Sequence, residues 1–92
     1  MLAVRLVPDA EVQQVHVAFA TPRRLGSAVT RNRLRRQLRE LMRARAAHLP
    51  TGWYLLSVHD RPVDITWGQL GQMLDTALGE AQQRHQPTQV SQ

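Results

Sequence analysis

The sequence predicts an α+β fold, a single two-layer sandwich of a small mixed sheet with helices in the order β-β-α-β-α. Three observations point there. Two short runs near the start carry strand-like apolar residues, one of them in clear alternation. A later stretch repeats its large apolar residues with a helical period, and a second helical pattern closes the chain. Between the helices lies a nearly continuous apolar run bounded by turn residues. No internal repeat or linker divides the 92 residues, a length that suits one domain with a modest core. That domain is expected to span residues 1–84, followed by a polar, flexible tail over 85–92.

Leu2 to Val7 reads as the first strand, closed by the turn-prone pair Pro8-Asp9. In the second, Val15, Val17 and Phe19 alternate with His16, Ala18 and Ala20, and Thr21-Pro22 ends it, because proline cannot donate to a sheet ladder. The polar segment from Asp9 to Gln14 is short enough for a hairpin between the two. A helix then starts between Ser27 and Asn32, with Ser27, Thr30 and Asn32 all able to cap it. Leu34, Leu38, Leu41 and Met42 recur on one helical face, and the helix fades through Ala46-Ala47 before Pro50. Trp53 to Val58 forms a third strand whose apolar character suggests burial on both faces and a central or parallel position. Thr66-x-x-Gln69 is a capping box, with Ile65 and Leu70 at the staple positions. Trp67, Leu70, Met73 or Leu74, Ala77 and Leu78 supply the buried face of the last helix. Gly68, Gly71 and Gly79 weaken that helix by roughly 1 kcal/mol each against alanine, so packing must hold it.

Charge is distributed unevenly. Nine of the twelve arginines lie between Arg23 and Arg45, opposed only by Glu40, for a formal +8. The remaining three arginines face six carboxylates, for −3. Such a field is the footprint of a protein that sits on a polyanion. There is no lysine, and arginine's planar fork suits phosphate and base stacking better than a point charge does.

The absence of cysteine excludes disulfides and thiolate metal sites, and is compatible with a reducing cytosol. No apolar run approaches the roughly 20 residues that span a bilayer, so no membrane partner is expected. His16, His48, His59 and His85 lack metal-ligand spacing, so no metal site in the protein is expected. Ser57, His59 and Asp60 hold the letters of a triad but are too close in sequence to assemble one, so no catalytic residue is assigned. Trp53, Tyr54 and Trp67 read as core or half-buried rather than as base-stacking platforms.

Arg31, Asn32 and Arg33 at a helix start would make a phosphate site, since the first turn leaves N–H groups unpaired. Arg35, Arg36, Arg39 and Arg43 form a stripe beside the apolar face, and Arg23-Arg24 extend it from the loop. A merely solvated helix face would interleave more glutamate. Nucleic acid is therefore the expected partner, contacted through Arg23, Arg24, Arg31, Asn32, Arg33, Arg35, Arg36, Arg39 and Arg43.

The run from Arg23 to Glu40, RRLGSAVTRNRLRRQLRE, resembles the signature of the protein subunit of bacterial ribonuclease P. Arg23-Arg24 match its basic pair, Gly26 its glycine, Ala28-Val29 its apolar pair and Arg31-Asn32-Arg33 its centre. Arg35, Arg36 and Arg39 follow in register, and the resemblance covers roughly residues 2–84. It implies a left-handed β-α-β crossover before the third strand. It also implies a noncatalytic cytoplasmic protein that binds the catalytic RNA and precursor tRNA, with no obligate protein partner. The RNA would remove the 5′ leader as an endonuclease, using Mg²⁺ that it mainly holds itself. Arg5 and Phe19 are the residues expected at a cleft for that leader.

Two departures qualify the likeness. Pro22 and Ser27 stand where serine and a basic residue are more usual, and this chain begins at its first strand where the family commonly has a further basic segment and helix. It therefore reads as a short form, with docking to the RNA subunit carried more fully than leader binding. The alternative is a basic DNA- or ribosomal-RNA-binding module outside tRNA processing, which would not need the Gly-x-Ala-Val approach to Arg-Asn-Arg.

Overall fold

A computed structural model describes residues 2–9, 11–60 and 65–84. The expected tail over 85–92 lies outside these residues. The elements are β1 (Leu2–Val7), β2 (Val15–Ala20), α1 (Ala28–Arg45), β3 (Gly52–Val58) and α2 (Trp67–Arg84). One-turn 3₁₀ helices, Arg23–Leu25 and Ala46–His48, flank α1. The chain is thus the expected α+β arrangement of a three-stranded mixed sheet and two helices.

The sheet order is β1-β3-β2. β3 runs antiparallel to β1, with Val4 opposite Leu56, and parallel to β2, with Phe19 also opposite Leu56. The hairpin expected between β1 and β2 does not form. β3 lies between them and takes ladder hydrogen bonds on both sides, while the two weaker, amphipathic strands become edges. Pro8 and Asp9 instead pass over the start of β3, and Gln14 meets it from the other side. Gly52 sits under that crossing with φ 142°, where a Cβ would stand 2.9 Å from the Val7 carbonyl oxygen. Its N–H donates to the Gln14 carbonyl at 3.1 Å. Any side chain here would meet both backbone strain and a collision.

Side chains alternate across the sheet, and both helices lie on one face of it. That face contributes Val4, Tyr54, Leu56 and Val58 to the core. Leu34, Leu38, Leu41 and Met42 descend from α1, and Leu70, Leu74, Ala77, Leu78 and Ala81 from α2. Fully burying a leucine contributes about 1.5–3 kcal/mol, so these two seams hold the layers together. The Tyr54 hydroxyl, at the bottom of the core, donates to the Pro50 carbonyl at 2.6 Å. Burial pushes the Tyr54 phenol pKa upward.

Burial of β3 on both faces does not occur. Trp53 is 44% exposed, and Leu55 and Ser57 are half-buried, because no described helix covers the outer face. Trp67, expected in the buried face of α2, is 52% exposed.

The capping box forms as read. Gln69 N–H donates to Thr66 Oγ1 at 3.1 Å, and Thr66 N–H donates to Gln69 Oε1 at 2.8 Å. At the far end of α2, Arg84 Nη2 donates to the Val4 carbonyl at 2.7 Å, closing part of the open edge of β1.

Candidate nucleic-acid interface

The basic region begins where β2 ends. Leu25 is 2% exposed and anchors the Arg23–Leu25 turn in the core, leaving Arg23 and Arg24 outside. Gly26 follows with φ 134°, a conformation that side chains rarely adopt. It redirects the chain into Ser27, whose Oγ accepts from the Thr30 N–H at 3.2 Å. Of the three candidate caps, Ser27 is therefore the one used, and α1 starts at Ala28.

This start corrects the reading of Arg31-Asn32-Arg33. The Arg31 N–H already donates to the Ser27 carbonyl at 3.0 Å, so the motif does not occupy the turn with unpaired N–H groups. Those belong to Ala28 and Val29, one turn earlier. Nor do the three side chains share a face, because consecutive helical residues diverge by about 100°. Arg31 turns toward the core side and is half-buried, with its Nε enclosed and lacking a hydrogen-bond partner among the described residues. Asn32 is exposed in the middle of the stripe, and Arg33 is exposed on its far flank. Asn32, Arg35, Arg36, Arg39 and Arg43 fall within about 100° of one another around the axis.

The arginines of the cluster are not equivalent. Arg24 Nη2 donates to the His59 carbonyl at 2.9 Å, tying the loop to the end of β3. Arg35 donates through Nη1 to Thr21 Oγ1 at 2.6 Å and through Nη2 to Asn32 Oδ1. The Arg39 guanidinium lies 5.2 Å from the centre of the Phe19 ring, within the range of a cation–π contact. Arg43 pairs with Glu40 at 3.0 Å, an exposed contact of small energetic value. Arg45 belongs to the fold: its Nε and Nη2 hold both oxygens of Asp75 on α2, at 2.5 and 3.2 Å. The hydrogen bond from Arg45, followed by their charge attraction, holds the Asp75 carboxyl below its ordinary pKa, against a desolvation effect that raises it. The same hydrogen bond raises the Arg45 pKa. Arg23, Arg33 and Arg36 are exposed and have no hydrogen-bonded partner among the described residues. They are the cations best placed to meet phosphate.

Arg5 and Phe19, expected on one cleft, occupy opposite faces of the sheet. Arg5 pairs with Leu55 and Phe19 with Leu56, and neighbouring residues of β3 point opposite ways. Phe19 lies under Arg39, on the helix side. Next along β2, a groove of about 210 Å³ has Val15, Val17 and Met42 as its apolar floor, with Arg39 and Arg43 among its lining. Arg5 is exposed on the open outer face.

That outer face carries a feature sequence reasoning missed. His16 and Trp53 stack with ring centroids 4.6 Å apart and planes 24° from parallel. Their adjacency depends on the β2–β3 register, which no local pattern discloses. Among the described residues no three of His, Asp and Glu converge, and no helix is long and apolar enough to cross a membrane.

Known proteins resemble the chain in both sequence and structure. The sequence model of the family described as Ribonuclease P matches residues 1–82. The ribonuclease P protein component of Roseiflexus sp. strain RS-1 is 40% identical over 65 residues, covering 68% of this chain and 53% of that protein. That of Streptomyces avermitilis is 40% identical over 73 residues, covering 77% of this chain and 58% of that protein. The matches to these two relatives therefore span a little over half of their length. A solved structure of the Staphylococcus aureus RNase P protein superposes with a TM-score of 0.77 at 22% identity, covering 87% of this chain and 73% of that one. A mutant of that protein with defective mRNA degradation activity superposes at 0.78, with 88% and 69% covered.

Proposed function

This chain belongs to the ribonuclease P protein family, and we propose that it is the RNA-binding subunit assisting a catalytic RNA in removing the 5′ leader of precursor tRNA. The observation that carries this reading is the exposed arginine surface of α1, in register with the family signature and backed by the Ser27 cap. Arg23, Arg33 and Arg36 are the phosphate contacts in this reading, while Arg24, Arg35 and Arg45 hold the surface in shape. Catalysis belongs to the RNA and to Mg²⁺ held mainly by it. The protein supplies positive charge that lets the RNA and its substrate approach at lower ionic cost. The setting is cytoplasmic, where precursor tRNA is made.

The leader is single-stranded, and stacking with phosphate attraction holds such a strand whatever its sequence. The outer sheet face offers both elements. Exposed Trp53 stacks on half-buried His16, and Arg5 on β1 stands on the same face of the sheet. We assign the leader to this face and the RNA subunit to the α1 stripe.

A reconstitution assay tests the reading. Added to a bacterial ribonuclease P RNA, the protein should raise precursor-tRNA cleavage at low Mg²⁺ and cleave nothing alone. No stimulation anywhere in a Mg²⁺ titration would remove the proposal. Stimulation that is equal for precursor tRNAs with short and with long leaders would restrict it to the α1 stripe.

A further inference from the structure

Arg35 falls in the basic stripe by periodicity, yet its guanidinium is engaged within the protein. One nitrogen donates to Thr21 at the end of β2, the other to Asn32 one turn earlier on α1. A guanidinium has donors and no acceptor. The atom of Asn32 that meets it must therefore be the carbonyl oxygen, which leaves the Asn32 NH₂ group directed away from Arg35. Asn32 is exposed at the centre of the stripe, whereas Arg35 is half-buried behind it. The Thr21 bond anchors the fork from outside α1, so the amide is held by the junction of strand and helix as well as by its own turn.

We propose that Arg35 is a positioning residue: it fixes Asn32 as a two-hydrogen donor facing the bound RNA, rather than contacting phosphate itself. The Asn32 partner is an acceptor on the RNA, such as a phosphate or ribose oxygen or an acceptor on a base edge. Lysine could not substitute, because a point charge cannot bridge two acceptors with the geometry of a planar fork. An amide oriented before binding loses less side-chain freedom when the RNA arrives.

This rests on the α1 stripe being the RNA face, and the experiment separates the two claims. Binding of the full chain to a ribonuclease P RNA is measured across a range of salt concentrations. Arg35→Met and Asn32→Ala should each weaken binding by roughly 2- to 10-fold, and the double variant should be no weaker than the worse single one. Arg36→Met should lower the salt slope by roughly 0.7–0.9, as removal of one phosphate-neutralising cation does, while Arg35→Met leaves the slope unchanged. Thr21→Val retains every charge and frees the far end of the fork. It should weaken binding with an unchanged slope, and lose that effect in the Asn32→Ala background, which also decides the matter if Arg35→Met fails to fold. A slope that falls in Arg35→Met as it does in Arg36→Met overturns the inference, as do additive losses. Absence of binding by the parent chain would instead overturn the RNA-subunit reading and this inference with it.

Discussion

The two helices of this protein are alike where they touch the sheet and opposite where they face solvent. Each has 18 residues and each buries a seam against the same sheet face. α1 carries seven of the nine clustered arginines, with Arg33, Arg36, Arg39 and Arg43 exposed beside one glutamate, whereas α2 carries Asp75, Glu80 and a single terminal arginine. Burial of leucine is what the fold requires of both. The solvent side is free of that demand, and only on α1 is it loaded with charge. In the proposed reading, that difference makes α1 the working surface and α2 its support, and the two are joined through the Arg45–Asp75 contact.

The contrast is tested most severely in the seams. Leu38→Ala in α1 and Leu74→Ala in α2, both fully buried, should each cost about 2–5 kcal/mol in denaturant unfolding. A loss below about 1 kcal/mol at either site would mean that the corresponding helix does not share the core. The outward faces should then part company. Replacing Arg33 and Arg36 with alanine should reduce the salt slope of RNA binding by up to about 0.7–0.9 for each phosphate no longer neutralised. Neutralising Glu80 on α2 should leave that slope as it was, and an equal effect from both helices would erase the distinction.

Smaller effects concern how each helix begins. Ser27→Ala and Thr66→Ala should each cost about 1 kcal/mol in stability, since each removes a cap from a first-turn N–H. Only Ser27→Ala should also weaken RNA binding, because only α1 carries the basic surface. The smallest effect lies in the contact between the helices. Asp75 is held below its ordinary pKa in the folded chain by the hydrogen bond from Arg45. The stability this contributes is present above about pH 4 and is lost as pH falls through the lowered folded value. The Asp75 side chain is 58% exposed, so solvent screening keeps the contribution below about 1 kcal/mol. Melting temperatures from pH 7 to pH 2 should therefore decline less in Asp75→Asn than in the parent, and parallel curves would show the contact to be energetically idle.

Legibility in the sequence followed distance along the chain. The capping box at Thr66 and Gln69 was readable because both partners lie within one turn. The apolar seam of α1 was readable because helical period alone sets which residues align. Ser27 was one of three admissible caps, and choosing it required the Gly26 turn that presents its hydroxyl to Thr30. The β1–β2 hairpin was a reasonable local inference that failed, because strand pairing is decided by which strand can be covered and bonded on both sides. The third strand read as buried on both faces for the same reason, since an apolar strand does not disclose that only one face of the sheet is roofed.

By itself, then, the sequence determined the elements, their order, the two buried seams and the concentration of positive charge beside Arg31-Asn32-Arg33. These follow from periods of two and 3.6 residues and from charge counts, which are local or additive. Only the tertiary structure decided what each arginine touches. Arg24 reaches His59 across 35 residues, Arg45 reaches Asp75 across 30, and Arg35 meets Thr21 across 14. A guanidinium contact depends on distance and direction in space, and these arise once the β2–α1–β3 crossover has closed. The concentration of charge was therefore legible residue by residue, and its division into arginines held within the fold and arginines left exposed was not.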